Sequence, residues 1–182
     1  MRALTFRYPE RMQRVVVIGN SGGGKSTLSR QLASRFDLPC TDLDCLLWLP
    51  GWQLASEEIY QAEHARLISG ERWLLDGLGI HDSIASRLER ATHIVLIDMP
   101  LWMHYWLAAE RQILWAAGQL QHPPAGIAEA PPIHGLFKAI WENDQAMPEI
   151  RSLVELEEGR GKRVFRLTSV EDLDGFFSRP DL

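Results

Sequence analysis

Residues 19–27 read GNSGGGKST: four glycines, one lysine and two adjacent hydroxyl residues, directly behind the run RVVVIG at 14–19. An unbroken β-branched run suits a strand covered on both faces, as in a parallel sheet. After the glycines, KSTLSRQLASRF at 25–36 spaces Leu28, Leu32 and Phe36 for one helical face. Strand, glycine turn and helix are the setting in which G-x-x-x-x-G-K-[ST] cradles phosphate, and Gly19 to Ser26 fits that pattern. Glycine lets consecutive backbone amides converge on an anion, and the helix behind it points its positive end at the same place. Gly19, Asn20, Ser21, Gly22, Gly23 and Gly24 are therefore read as the cradle. Lys25 reaches the β and γ phosphates, Ser26 offers its hydroxyl to Mg2+, and Thr27 bonds the α phosphate. The expected ligands are ATP and Mg2+. The dinucleotide fingerprint G-x-G-x-x-G fails, because Gly22-Gly23-Gly24 runs into Lys25, Ser26 and Thr27.

Outward from this loop, strands and helices alternate. LPCTD (38–42), RWLLDG (72–77), THIVLIDMP (92–100) and RVFRLT (163–168) read as four further strands. CLLWLPGWQ (45–53) reads as a loop stopped by Pro50-Gly51. Ser56 is the expected cap of a helix ending before Gly70, and Asp82 that of a brief helix to Arg90. A long helix spans 101–117, buried or amphipathic in character. Two more cover 133–145 and 148–158, and Thr168 with Glu171 makes a capping box for the last. The four prolines of 121–132 mark a mobile loop within a helical lid region at about 101–147. One domain over 1–182, with 1–13 as an N-terminal extension, is the expected organisation. Its class is α/β, three-layered, with a five-stranded parallel sheet and helices on both faces.

The chain has 182 residues, 46% hydrophobic and 24% charged, enough for a real core without disulfides. A net charge of -5 gives no general field for nucleic acid, so direct binding to it is not expected. Cys40 and Cys45 lack a second ligand pair, which argues against structural zinc. No apolar leader precedes the arginines of 1–14, and His104, Glu110 and Arg111 interrupt the most apolar segment. A cytoplasmic protein without a membrane span is expected.

A nucleotide–Mg2+ site needs an acid near the metal, at the carboxyl end of a strand beside the phosphate loop. Asp76, followed by Gly77, is preferred over Asp98, which precedes the turn at Pro100. Asp42 and Asp44 end the second strand. Asp44 is assigned to the acceptor side ahead of Asp42, since only one of the pair points inward from an extended segment. Trp48 and Trp52 flank the same segment and could wall a pocket. His81, His93, His104, His122 and His134 form no ligand set and read as surface or core residues.

GNSGGGKST, LDCLLWLPGW (43–52), WLLDG (73–77) and SRLERATHIVLIDMP (86–100) together resemble small bacterial P-loop kinases of the adenylate kinase-like or DNA topology modulation kinase-like kind. The resemblance runs from about residue 14 to the C-terminal helix. It implies the nucleoside-monophosphate-kinase fold, with a substrate-binding segment after strand two and a lid after strand four. It puts Asp44 at the substrate position, Asp76 at the metal-side acid and LTSV (167–170) near the adenine ring. Adenylate kinases proper resemble L-D-G-F-P-R after strand three. Here LDGLGIHDSIASR (75–87) has no arginine before Arg87. Arg111 is then the lid cation, with Arg151 in reserve. The function expected is an ATP- and Mg-dependent phosphotransferase acting on a nucleotide or small hydroxylated acceptor. A nucleotide-binding regulator or slow NTPase working through a partner is the alternative.

Overall fold

The computed structural model describes residues 12–49, 53–121, 130–180 and 182. Five strands form one parallel sheet: β1 (Arg14–Gly19), β2 (Cys40–Asp42), β5 (Trp73–Asp76), β6 (His93–Ile97) and β7 (Arg163–Leu167), in the order β2-β5-β1-β6-β7. A separate two-stranded hairpin joins β3 (Trp48–Leu49) to β4 (Gln53–Leu54).

Alternation along β1 explains the unbroken apolar run. Val15 and Val17 enter one core with Leu28, Leu32, Phe165 and Phe176, while Val16 and Ile18 enter the other with Ile84, Leu88, Ile150 and Val154. Helices α1 (Lys25–Phe36) and α7 (Val170–Asp174) cover the first face; α4 (Ile84–Arg90) and α6 (Ile133–Gly159) cover the second. Burying a side chain of this size contributes about 1.5–3 kcal/mol, so a strand apolar on both sides is bound into the middle of the sheet. The sheet, its parallel sense and the two helical layers are as the sequence implies.

Several local expectations are corrected. Helix α6 is one continuous helix with Pro148 inside it, where the sequence suggests two. Proline there removes a donor and costs about 3 kcal/mol. Met147, Ile150 and Val154 on either side are wholly buried, and their packing holds the helix through the defect. The expected loop after Asp42 contains α2 (Asp44–Leu47) and the β3–β4 hairpin. The cap of α3 (Glu57–Ser69) is Ser56, as read, and accepts from the Ile59 amide. Asp82 is not the cap: a 3-10 turn over His81–Ser83 leads into α4, whose cap is Ser83, with no side-chain bond to the amides of the helix. The last cap shifts by one residue, with Ser169 accepting from the Asp172 amide and the Asp172 carboxylate accepting from the amide and hydroxyl of Thr168.

Helix α5 (Leu101–Ala116) buries only His104 and Ala108, and turns Trp102, Trp106 and Ile113 outward at 63%, 67% and 69% exposure. It is apolar without being largely buried. Among the described residues no helix is long and apolar enough to cross a membrane. The N-terminal extension before Met12, Trp52, and residues 122–129 of the expected mobile loop lie outside the described residues.

Candidate phosphate and acceptor site

The loop between β1 and α1 closes with backbone only glycine accepts readily. Gly22 and Gly24 have φ of 79° and 81°, and a Cβ on Gly22 would stand 2.6 Å from the His104 carbonyl oxygen. Gly24 is also the left-handed cap of α1, so the free amides of that helix open on the loop. The Lys25 ammonium donates to the Asn20 carbonyl at 2.7 Å, folded across the loop it belongs to.

Asn20 and Ser21 divide their roles in a way the motif does not show. The Asn20 side chain is buried and points away from the cradle, donating to the Ile140 carbonyl on α6 at 2.9 Å while its oxygen accepts from the Ser21 amide. Ser21 is gripped twice. Its carbonyl bonds His104 Nδ1 at 2.9 Å, and its hydroxyl accepts from Asn143 at 3.4 Å. His104 therefore ties α5 to the phosphate loop. A Cβ on Gly23 would meet its Cε1 at 2.9 Å, so the third glycine is there to admit the ring. Burial lowers the His104 pKa, the Ser21 carbonyl raises it, and Lys25 lowers it again; the Met99 carbonyl and Asp144 also face the ring. A neutral ring donating from Nδ1 fits that balance. From the sequence alone this histidine reads as a surface or core residue. The one related sign in the sequence is the glycine at position 23, whose small size leaves room for a neighbour packed against the loop.

Across the crevice at the carboxyl ends of the strands stand the acids. Asp76 ends β5 opposite Val17 and is 2% exposed. Its Oδ1 has no partner, and the Ser26 side chain faces it from the loop. Burial raises its pKa to about 7, against Lys25, with Asp42 and Asp44 adding to the rise. Asp42 is its register partner on β2, so two carboxylates stand side by side on neighbouring strands. Burial and then the Asp44 charge push Asp42 upward as well.

Of the pair, Asp42 is the half-buried one, beside Asp76, and Asp44, the residue preferred from the sequence, is exposed. The chain leaves the strand at Leu43, which is wholly buried, and α2 begins at Asp44, so alternation no longer governs the pair. Asp42 Oδ1 accepts from the Asp44 amide at 2.9 Å, and Asp44 Oδ1 lies 3.6 Å from where a Gly77 Cβ would be.

Arg111 reaches this acidic side from α5, two turns beyond His104 on the same face. Burial lowers its pKa, while Asp44 and then Asp42 raise it, and its Nε has no partner. The two alternatives weighed against these residues are engaged with each other. Arg151 makes a bidentate ion pair with Asp98, Nε donating to Oδ2 and Nη2 to Oδ1, both at 2.8 Å. Arg87 is wholly buried behind the site, donating to the Ser83 hydroxyl at 2.9 Å and to the carbonyls of Gly77 and Leu78. It fastens the turn after Asp76. Near the expected adenine segment, Leu173 of α7 comes within 3.1 Å of a Cβ placed on Gly24.

The residues fit a triphosphate with its metal. The helix amides and positive-φ glycines form the cradle, and a buried, partly unsatisfied Asp76 facing the motif serine offers hard oxygen donors. Among the described residues no group of three or more His, Cys, Asp or Glu side chains forms a metal cage by itself.

No protein-family model matches the chain, and no curated protein matches it. Solved structures do. Shikimate kinase from Bacteroides thetaiotaomicron is 14% identical with a TM-score of 0.55, over 92% of this chain and 96% of that one. Shikimate kinase from Acinetobacter baumannii, in complex with shikimate, is 12% identical with a TM-score of 0.54, over 93% of each chain. A gluconokinase from Sinorhizobium meliloti is 18% identical over 84% of this chain and 96% of that one, with a TM-score of 0.43. At these identities the likeness is one of architecture: the chain has the α/β fold of P-loop kinases.

Proposed function

We propose that the protein is an ATP- and Mg-dependent phosphotransferase of the adenylate kinase-like kind, working in the cytoplasm on a small hydroxylated acceptor. The observation that carries this reading is the meeting of Ser26 and Asp76: the hydroxyl residue of the loop faces a buried carboxyl whose Oδ1 has no partner. Such a carboxyl is costly unless a cation completes it.

In this reading the loop amides hold the phosphate chain, and Lys25 exchanges the Asn20 carbonyl for the β and γ oxygens. Ser26 and Asp76 hold the metal, which when bound neutralises charge on the transferred group. Arg111 steadies that group from the α5 side. Asp44 orients the acceptor hydroxyl and accepts its proton as the oxygen bonds to phosphorus and ADP leaves. Positioning and charge supply the catalysis. The kinase folds of the solved neighbours support the assignment.

The test couples ADP release to acceptor addition. Acceptor-dependent ADP that needs Mg2+, and that falls about 100-fold or more in Lys25→Ala, is the expected result. Slow ADP release indifferent to every acceptor would instead mark an NTPase.

A further inference from the structure

We infer that Arg87 is a positioning residue for the acceptor: with Ser83 and Tyr60 it fixes the turn 77–80 against the Asp44 segment, and so governs acceptor binding apart from nucleotide binding. This rests on the phosphotransferase reading and adds what holds the acceptor half of the crevice in shape.

The turn follows Asp76 directly, and both of its glycines abut the acceptor segment. A Cβ on Gly77 would stand 3.6 Å from Asp44 Oδ1 and from Leu43 Cβ, and one on Gly79 would stand 3.4 Å from Leu43 Cδ1. Their φ angles are 110° and 59°, a shape that glycine permits but does not enforce. Clamps on the carbonyls enforce it. Arg87 Nη2 donates to the Gly77 and Leu78 carbonyls, while the Ser83 amide and hydroxyl both donate to the Ile80 carbonyl, at 3.0 and 2.6 Å. Since the one hydroxyl proton of Ser83 goes to Ile80, its oxygen accepts from Arg87 Nη1 at 2.9 Å and from the Tyr60 hydroxyl at 3.2 Å. Tyr60 reaches in from α3 through space that Gly79 leaves, because a Cβ there would overlap its oxygen.

The use of arginine for this clamp is informative. Arg87 is wholly buried, its Nε has no partner, and among the described residues no carboxylate pairs with it. Burial lowers its pKa to about 10, so it keeps its charge. A cation buried among neutral oxygens is a costly way to fill space, and an apolar side chain of similar volume packs without that penalty. What the guanidinium adds is a rigid fork that holds Ser83, Gly77 and Leu78 together. The phosphate loop has a separate set of supports: His104 of α5 and Asn143 of α6 grip Ser21, and Asn20 is tied to Ile140. No side chain belongs to both sets, so loosening the acceptor turn leaves the loop in place.

The experiment follows ADP release from Mg-ATP with glucose, glucuronate, shikimate and AMP, together with pooled neutral, cationic and anionic alcohols, and continues with the acceptor that the parent protein uses best. In Arg87→Lys, which keeps the charge but loses the fork, kcat/KM for that acceptor should fall about tenfold or more while KM for Mg-ATP stays within about twofold of the parent. Tyr60→Phe, which removes one bond to Ser83 and keeps the ring, should show the same split at about threefold, and it decides the matter alone if Arg87→Lys does not fold. Amide hydrogen exchange without ligand should quicken about tenfold at 77–82 in Arg87→Lys and keep the parental rate at 19–27. Equal losses for acceptor and Mg-ATP, or a lowered urea midpoint with both kinetic constants unchanged, overturn the inference and leave the kinase reading standing. Mg-ATP bound with no acceptor-dependent ADP from the parent removes the kinase reading, and the inference with it.

Discussion

His104 shows how one side chain links two parts of the site. Its ring reaches from α5 to the Ser21 carbonyl, fills the space beside Gly23, and shares a helix face with Arg111. Losing the ring leaves a buried carbonyl short of a donor and opens a void under the loop. A buried hydrogen bond is worth about 1 kcal/mol, and an unsatisfied carbonyl costs about 1–3. His104→Leu is therefore expected to raise KM for ATP about tenfold with a smaller change in kcat, and His104→Asn, which restores a donor near Nδ1, to recover most of it. Equal losses in the two variants would mean that packing alone matters. The same scale reveals why the acids were only partly legible. The D-G pair at 76–77 marks a strand end, but the position of Asp42 beside Asp76 is a matter of register between chain segments 34 residues apart.

At the scale of an element, α6 is the instructive case. Proline reads as a break because it lacks the donor and crowds the preceding turn, and both effects are local. The opposing effect is not: Met147, Ile150 and Val154 join a core built from β1, β5, β6 and α4. The unbroken helix carries Ile140, which receives the Asn20 side chain, and Asn143, which donates to the Ser21 hydroxyl. Pro148→Ala should stabilise the protein by about 1–3 kcal/mol in urea unfolding, because the packing that tolerates proline suits alanine as well. Destabilisation would show that the helix bends at proline to fit its neighbours. The hairpin after α2 follows the same lesson, since nothing local in the sequence predicts its pairing of Trp48 with Leu54.

The whole molecule carries a pH signature from two buried groups of opposite sign. Burial lifts Asp76 to about 7, so the folded state holds a proton that the unfolded chain, with an ordinary carboxyl, has released. That contribution is fully present at low pH and is lost as pH rises from about 4 to about 7. Burial, and then the charge of Arg87, lower His64 to about 4, so the folded state stays neutral where the unfolded chain takes up a proton. That contribution is present above about 6.5 and is lost as pH falls toward 4. Each changes stability by up to about 1.4 kcal/mol per pH unit, and in the intact protein they oppose each other. Urea midpoints measured from pH 4 to 8 should thus vary little up to about 6.5 and then fall slightly. Asp76→Asn should unmask a rise with pH, and His64→Gln a decline. A flat profile in both variants would contradict the assignment.

The sequence by itself determined the glycine loop between a buried strand and a helix, and the parallel five-stranded sheet with helices on both faces. These rest on local rules: glycine at constrained backbone, a basic and hydroxyl pair at a helix start, and apolar runs with the period of a strand or helix. Tertiary structure alone decided which cations are spent and which remain. Arg151 is taken by Asp98 across 53 residues, Arg87 is sealed beneath the turn it holds, and Arg111 is brought to Asp44 by the packing of α5. The charge of a side chain is written in its residue type, but what that charge faces depends on distances between segments that only folding sets.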